Sequence, residues 1–155
     1  MKLIESLIPE ILKSPHLIAP ERVEELHAFC VSRKIEVHLD APDNYWEFSA
    51  DIYRGRIGIS LQALEHLWAC CRYFQPLYDH HVTHKTPFPI VESAIPGIEA
   101  AKLLFLKARN AERGTYPFAL STGGLNPEDQ DPATPATNQF FLMAVAFILL
   151  HEMAH

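Results

Sequence analysis

The feature that most constrains the fold is an apolar run of eleven residues, Phe140 to Leu150, near the end of the chain. The run is too short to cross a bilayer, which takes about 20 apolar residues in a helix. A helix that is apolar nearly all round is typical of a buried core helix. We therefore predict a buried helix over 138–155, with Thr137 or Asn138 as its N-cap.

Composition and charge narrow the class of protein. The chain has 155 residues, of which 48% are hydrophobic and 21% charged, as in a single globular domain with its own core. A net charge of -6 argues against nucleic acid as a partner. The three cysteines, Cys30, Cys70 and Cys71, are odd in number and two are adjacent, which argues against a disulfide framework. Two glutamates and a proline interrupt the first ten residues, so no signal peptide is expected. We expect a cytoplasmic protein with no membrane partner.

Hydrophobic periodicity predicts an α+β fold with a small antiparallel meander packed against helices. The segment 35–39, IEVHL, alternates apolar and polar residues as a half-buried strand does. An aromatic-rich segment and a short apolar segment follow it, separated by turn residues. Three sequential short strands favour a meander. The predicted strands cover residues 35–39, 45–53 and 56–59.

Helices are predicted before and after these strands along the chain, and Ser60 is the expected N-cap of the third helix. A histidine-rich stretch bracketed by Pro76, Pro87 and Pro89 is predicted to be irregular. The segment 121–137, STGGLNPEDQDPATPAT, is predicted to be a flexible acidic, proline-rich loop within a single domain over 1–155. The predicted helices cover residues 2–13, 20–34, 61–74, 96–113, the last ended by Gly114, and 138–155.

The end of the chain, HEMAH, has the residue types of a metal site. On a helix, a spacing of four residues places His151 and His155 on one face, where both imidazoles can reach one zinc ion. Glu152 lies about 100° round the helix, where it can reach a water bound to that ion. This arrangement predicts a zinc-dependent peptidase with Glu152 as general base.

A second stretch, HHVTH, has the same four-residue spacing between His80 and His84. The flanking prolines and the β-branched Val82 and Thr83 favour a loop, and the stretch contains no carboxylate that could act as a base. We therefore predict a solvated surface loop here and no native metal site.

Two other functions are compatible with the sequence. One is a non-catalytic binding module, in which HEMAH is only a helix end and the acidic loop or an exposed helix face binds a partner. The other is a zinc hydrolase that uses the same side chains on a non-peptide substrate. Substitution of Glu152 by Gln separates the first from an enzyme, because only an enzyme would lose turnover while keeping its metal.

The order of segments adds a family resemblance. A short meander ending in Gly58-Ile59-Ser60 leads into LQALEHLWACCRYF, then a long Ala- and Leu-rich helix, an acidic loop, and FFLMAVAFILLHEMAH. Over about residues 35–155 this order resembles the Lit-type phage-exclusion peptidases, a family of bacterial cytoplasmic zincins. The resemblance implies that His151 and His155 bind Zn²⁺, that Glu152 is the base, and that the substrate is a host cytoplasmic protein cleaved in defence against phage.

The third zinc ligand of such enzymes usually lies downstream of the motif, and no residue follows His155. We therefore expect the chain to be the N-terminal part of a longer peptidase. On that expectation, the 155-residue piece binds zinc weakly and is inactive alone. It would also expose apolar surface around 140–150 and self-associate.

Overall fold

A computed structural model describes residues 3–39, 48–51, 53–86, 89–112 and 134–154 of the chain. The described part is mostly helical with one small mixed sheet, which confirms the α+β class. Short 3₁₀ turns cover Pro20–Arg22 and Glu92–Ala94. The helices and strands in chain order are α1 (Leu3–Ile18), α2 (Val23–Arg33), β1 (Glu36–His38), β2 (Phe48–Asp51), β3 (Arg56–Ile59), α3 (Leu61–His84), α4 (Ile98–Glu112) and α5 (Thr134–Ala154).

The sheet is not the predicted meander, because β3 rather than β2 lies at its centre. Its strand order is β1-β3-β2, with β1 parallel and β2 antiparallel to β3. Burial explains the order: Ile57 and Ile59 of β3 lie in the core, whereas Ser49 and Asp51 of β2 are exposed. The most apolar strand occupies the position that is covered on both edges, and the polar strand stays at an edge.

The turn between β2 and β3 depends on Gly55, which has a positive φ of 64°. A Cβ atom at this position would lie 2.5 Å from the carbonyl oxygen of Lys34, just past the end of α2. The Gly55 carbonyl also accepts a hydrogen bond of 2.8 Å from the backbone N–H of Glu36, the first residue of β1. Glycine therefore allows the hairpin to pack directly against the end of α2.

Helix α3 begins as predicted but ends ten residues later than expected. The Ser60 hydroxyl accepts a hydrogen bond of 2.9 Å from the backbone N–H of Ala63, which confirms the predicted cap. The helix then continues through Pro76 to His84, so the prediction of an irregular stretch is wrong over residues 76–84. Packing beyond the proline offsets the lost hydrogen bond, since Tyr78 stacks on Phe140 of α5 with 6.3 Å between ring centroids.

Helix α5 forms the centre of the core but is buried along one face only. Phe141, Val145, Leu149 and Met153 are buried at a four-residue spacing and pack with residues of α1 and α3. Met143 and Phe147, by contrast, are 60% and 70% exposed. The prediction of a helix that is buried all round is therefore wrong for the face that carries Met143 and Phe147.

The start of α5 also differs from the prediction. The helix begins at Thr134, so the last four residues of the predicted acidic loop are helical and residues 121–133 lie outside the described part. Neither predicted N-cap has that role: Thr137 is buried within the helix, and the Asn138 side chain accepts a hydrogen bond of 2.8 Å from the indole N–H of Trp68 in α3. This bond joins two core helices.

A second, smaller cluster joins α3 to α4, which ends near the predicted boundary. Tyr73 stacks on Phe105 with 5.0 Å between ring centroids. The Tyr73 hydroxyl donates a hydrogen bond of 2.7 Å to Glu92, which also pairs with Lys102. The hydrogen bonds from Lys102 and Tyr73 lower the pKa of Glu92. Gly114, the predicted end of α4, lies outside the described residues.

By length and composition alone, the helix Thr134–Ala154 could cross a membrane. Core helices of soluble proteins meet the same criterion, and in this fold one face of the helix packs against α1 and α3. The absence of a membrane partner stays a prediction.

Candidate metal centre

The structure places His151 and Glu152 in the last turn of α5, and His155 lies just outside the described residues. Consecutive helical residues point about 100° apart. His151 is accordingly exposed, on the same line as Met143 and Phe147, while Glu152 is half-buried. The two side chains thus face adjacent surfaces of one helix end.

Met153 anchors this last turn. Its side chain is 8% exposed and lies in the main core, with its sulfur 4.0 Å from Sγ of Cys30 in α2. Helix ends generally fray because their last carbonyls lack partners within the helix. Here the packing of Met153 holds the turn that carries Glu152 against α2.

A cleft of about 220 Å³ opens beside Glu152. It lies between the end of α2, the β2–β3 hairpin and the last turn of α5, and Gly55 and Ile57 are among the residues that line it. Its charged lining residues are Arg33, Asp51, Arg56 and Glu152. The structure therefore puts Glu152 in a polar concave surface that sequence patterns did not indicate, because its walls come from three distant segments.

The two carboxylates of this cleft differ in their partners. Asp51 accepts backbone hydrogen bonds of 3.2 Å from Tyr53 and Arg54 and lies 3.7 Å from the Arg54 guanidinium. It stabilises the hairpin turn. Glu152 has no hydrogen bond or ion pair with another residue of the described part. A half-buried carboxylate with no such partner in a cleft remains able to act on a bound molecule.

The three cysteines of the chain are buried or half-buried, and none of them forms a disulfide. Burial raises the pKa of the Cys30 thiol, which lies beside Met153. Burial likewise raises the pKa of Cys71 to about 12. Both shifts favour the protonated thiol, which is a poor nucleophile.

The described residues supply only part of the predicted metal site. No group of three His, Cys, Asp or Glu side chains among residues 3–39, 48–51, 53–86, 89–112 and 134–154 is arranged to hold a metal ion. His151 suits zinc in donor type and accessibility, since a neutral imidazole is a common zinc ligand. The second predicted ligand, His155, is not described, and no third ligand is identified.

The other histidine pair, His80 and His84, lies on the last turn of α3 rather than in a loop. The sequence predicted a surface loop without a metal site here, because the flanking prolines and β-branched residues favour irregular structure. Tertiary packing of α3 overrides that local preference.

No protein-family model, no curated protein and no solved structure matches this chain. The resemblance to Lit-type peptidases therefore stays a prediction from the sequence.

Proposed function

We propose that this chain carries the catalytic helix of a zinc-dependent metallopeptidase. In this proposal His151 and His155 bind Zn²⁺, and Glu152 is the general base. The observation that supports it most is the position of Glu152, which lines a cleft and has no structural partner among the described residues. A glutamate whose only role is to keep the surface polar does not have to line a cleft.

The geometry supports a division of roles between neighbouring residues. The exposed imidazole of His151 can reach an ion at the helix surface, and the His155 spacing would add a second imidazole on that face. Glu152 faces the adjacent cleft, where a substrate would lie next to the ion. The histidine face and the cleft are therefore neighbours, and catalysis would take place at their border.

Bound zinc would polarise the scissile carbonyl and lower the pKa of a water molecule. The Glu152 carboxylate would accept a proton from the attacking water as its oxygen bonds to the carbonyl carbon. Glu152 would then give that proton to the leaving amine nitrogen as the C–N bond breaks. The products are a carboxylic acid and an amine, which exchange a proton to give a carboxylate and an ammonium group, and Glu152 returns to its starting state.

Two arginines in the cleft suit a peptide substrate. Arg33 and Arg56 carry guanidinium groups that can donate hydrogen bonds to carbonyl or carboxylate oxygens. The proposed substrate is a cytoplasmic host protein, and the proposed role is phage exclusion, both of which follow from the resemblance. The net charge of -6 supports a protein substrate over nucleic acid.

One observation favours a second function, a non-catalytic interaction module. Met143 and Phe147 are exposed on the same line of α5 as His151. Large exposed apolar side chains next to each other commonly mark a surface that binds a partner. In this alternative the end of α5 contacts another protein and Glu152 has no chemical role.

The test compares three single variants with the wild type in the full-length protein. Zinc content is measured by atomic absorption, and peptidase activity on cell-extract proteins by mass spectrometry of new termini. We expect His151→Gln to lower zinc content and Glu152→Gln to keep zinc but abolish cleavage. Glu24→Gln, an exposed glutamate of α2, is the control and should change neither.

The proposal fails if the gene product binds no zinc, or if His151→Gln leaves its zinc content unchanged. An unchanged cleavage rate in Glu152→Gln would instead remove Glu152 from the mechanism. Binding of a partner that is insensitive to Glu152→Gln but lost in Phe147→Gln would support the interaction module.

A further inference from the structure

The end of α3 carries two histidines at a spacing that can chelate an ion. His80 and His84 are four residues apart, so they lie on one face of the helix. Their rings stack with 4.3 Å between centroids and 26° between planes. Side chains at this spacing can contribute nitrogen ligands to a single ion once one ring rotates out of the stack, so that both lone pairs converge on the ion.

The hydrogen bond of His84 fixes which of its nitrogens can bind. Nδ1 of His84 lies 3.1 Å from the backbone carbonyl oxygen of His80. A carbonyl oxygen can only accept, so Nδ1 carries the hydrogen and the neutral ring keeps its lone pair on Nε2. Metal-binding histidines typically donate their other N–H to a carbonyl or a carboxylate in this way. His84 is thus oriented as a ligand without any metal present.

The His80 ring is available as the second ligand. No hydrogen bond to a residue in the described part of the chain involves its ring nitrogens. Its acidic neighbour Asp79 is held by a hydrogen bond from Gln75 and does not pair with it. His80 is half-buried and His84 is exposed, so an ion can reach the pair from solvent.

Charge near the end of α3 also bears on cation binding. The negative end of the helix dipole and the last backbone carbonyls favour a cation at this position. Lys85, the C-cap residue, opposes binding in part because it adds a positive charge.

We propose that His80 and His84 form a two-histidine site for a divalent transition metal ion, separate from the HEMAH motif. Imidazole ligands suit Zn²⁺, Ni²⁺ and Cu²⁺, and affinity for such a site should rise from Zn²⁺ and Ni²⁺ to Cu²⁺. The site is open, since no third His, Cys, Asp or Glu of the described residues joins it. Water completes the coordination, so the ion can exchange or accept a further ligand.

The test is a titration of the whole chain with Zn²⁺ and then with Ni²⁺, followed by NMR signals of the histidine rings. In the wild type, the His80 and His84 signals should shift or broaden in a saturable manner. His80→Gln and His84→Gln should each abolish the response of the remaining partner. His27→Gln, which removes an exposed histidine of α2, is the control and should leave the response unchanged.

His81→Gln and His151→Gln separate this site from its neighbours. His81 lies on the same turn, but its Nδ1 donates to the carbonyl of Thr86. Loss of binding in His81→Gln with retention in His80→Gln would overturn the assignment. Retention of the His80 and His84 response in His151→Gln is expected, and its loss there would show that the signal came from the α5 motif. Circular dichroism confirms that each variant folds.

Discussion

Two histidine pairs with the same four-residue spacing occur near the ends of α3 and α5, and their surroundings differ. The pair on α3, His80 and His84, encloses no carboxylate, and its acidic neighbour Asp79 is held by Gln75. The pair at α5, His151 and His155, encloses Glu152, which lines a cleft. In the two proposals the spacing would provide metal ligands in both places, and only the pair at α5 would add a base.

The difference shows which part of the motif indicates hydrolysis and which part indicates only metal binding. Histidines at four-residue spacing on a helix can bind an ion wherever they are accessible. Hydrolysis also requires a proton acceptor and room for a substrate. At the end of α5, the Glu152 carboxylate lines a cleft whose other walls come from α2 and the hairpin, which are distant in sequence from α5.

The largest predicted effect is a loss of stability at the contact between α3 and α5, the two helices that carry the histidine pairs. Trp68 is fully buried between α3 and α5, so Trp68→Ala should lower the free energy of unfolding by about 3–5 kcal/mol. Denaturant unfolding followed by circular dichroism measures this. A loss below about 1 kcal/mol would contradict the described packing of α3 on α5.

A smaller effect is expected from the partner of that tryptophan. Asn138→Ala leaves the buried indole N–H of Trp68 without its acceptor, which should cost about 1–3 kcal/mol of unfolding free energy. Gln139→Ala, the exposed next residue on α5, is the control and should stay within about 0.5 kcal/mol of wild type. Equal values for the two variants would argue against the Trp68–Asn138 bond.

A substitution on the exposed face of α5 should change self-association and should change the stability of the fold little. Phe147→Gln should reduce self-association, measured by light scattering, because it removes a side chain that is 70% exposed next to Met143. Leu103→Gln on α4, also an exposed apolar residue, should not. A wild type that stays monomeric at high concentration would rule out the predicted self-association.

The smallest predicted effect tests whether a carboxylate beside a histidine pair is sufficient for peptide hydrolysis. His81→Glu places an acid directly after His80, as Glu152 follows His151. We expect no peptide hydrolysis at this site, because His81 is not among the residues that line the cleft beside Glu152. With Glu152→Gln also present, to silence the α5 site, any zinc-dependent cleavage by the double variant would show that the cleft is dispensable.

Local signals predicted some of these features well. The Ser60 cap and the helical setting of His151 and Glu152 each depend on nearby residues, and each is confirmed. A few residues are enough to determine such a cap, whereas the predicted end of α3 and the predicted cap of α5 were wrong because tertiary contacts determine them.

Features that depend on distant contacts were predicted wrongly or not at all. The strand order follows from which strand the core covers, and the extension of α3 past Pro76 follows from contacts such as Tyr78 with Phe140. The exposure of Phe147 and the walls of the cleft likewise come from the way α5 packs against other elements. No local pattern contains that information.

The central claim is that Glu152 is a base next to zinc held by His151. The most direct test is the rate of zinc-dependent peptide cleavage by the complete gene product and by its Glu152→Gln variant at equal zinc content. We predict that the variant keeps its zinc and cleaves about 10²–10⁴ times more slowly. Equal rates at equal zinc content would contradict the claim.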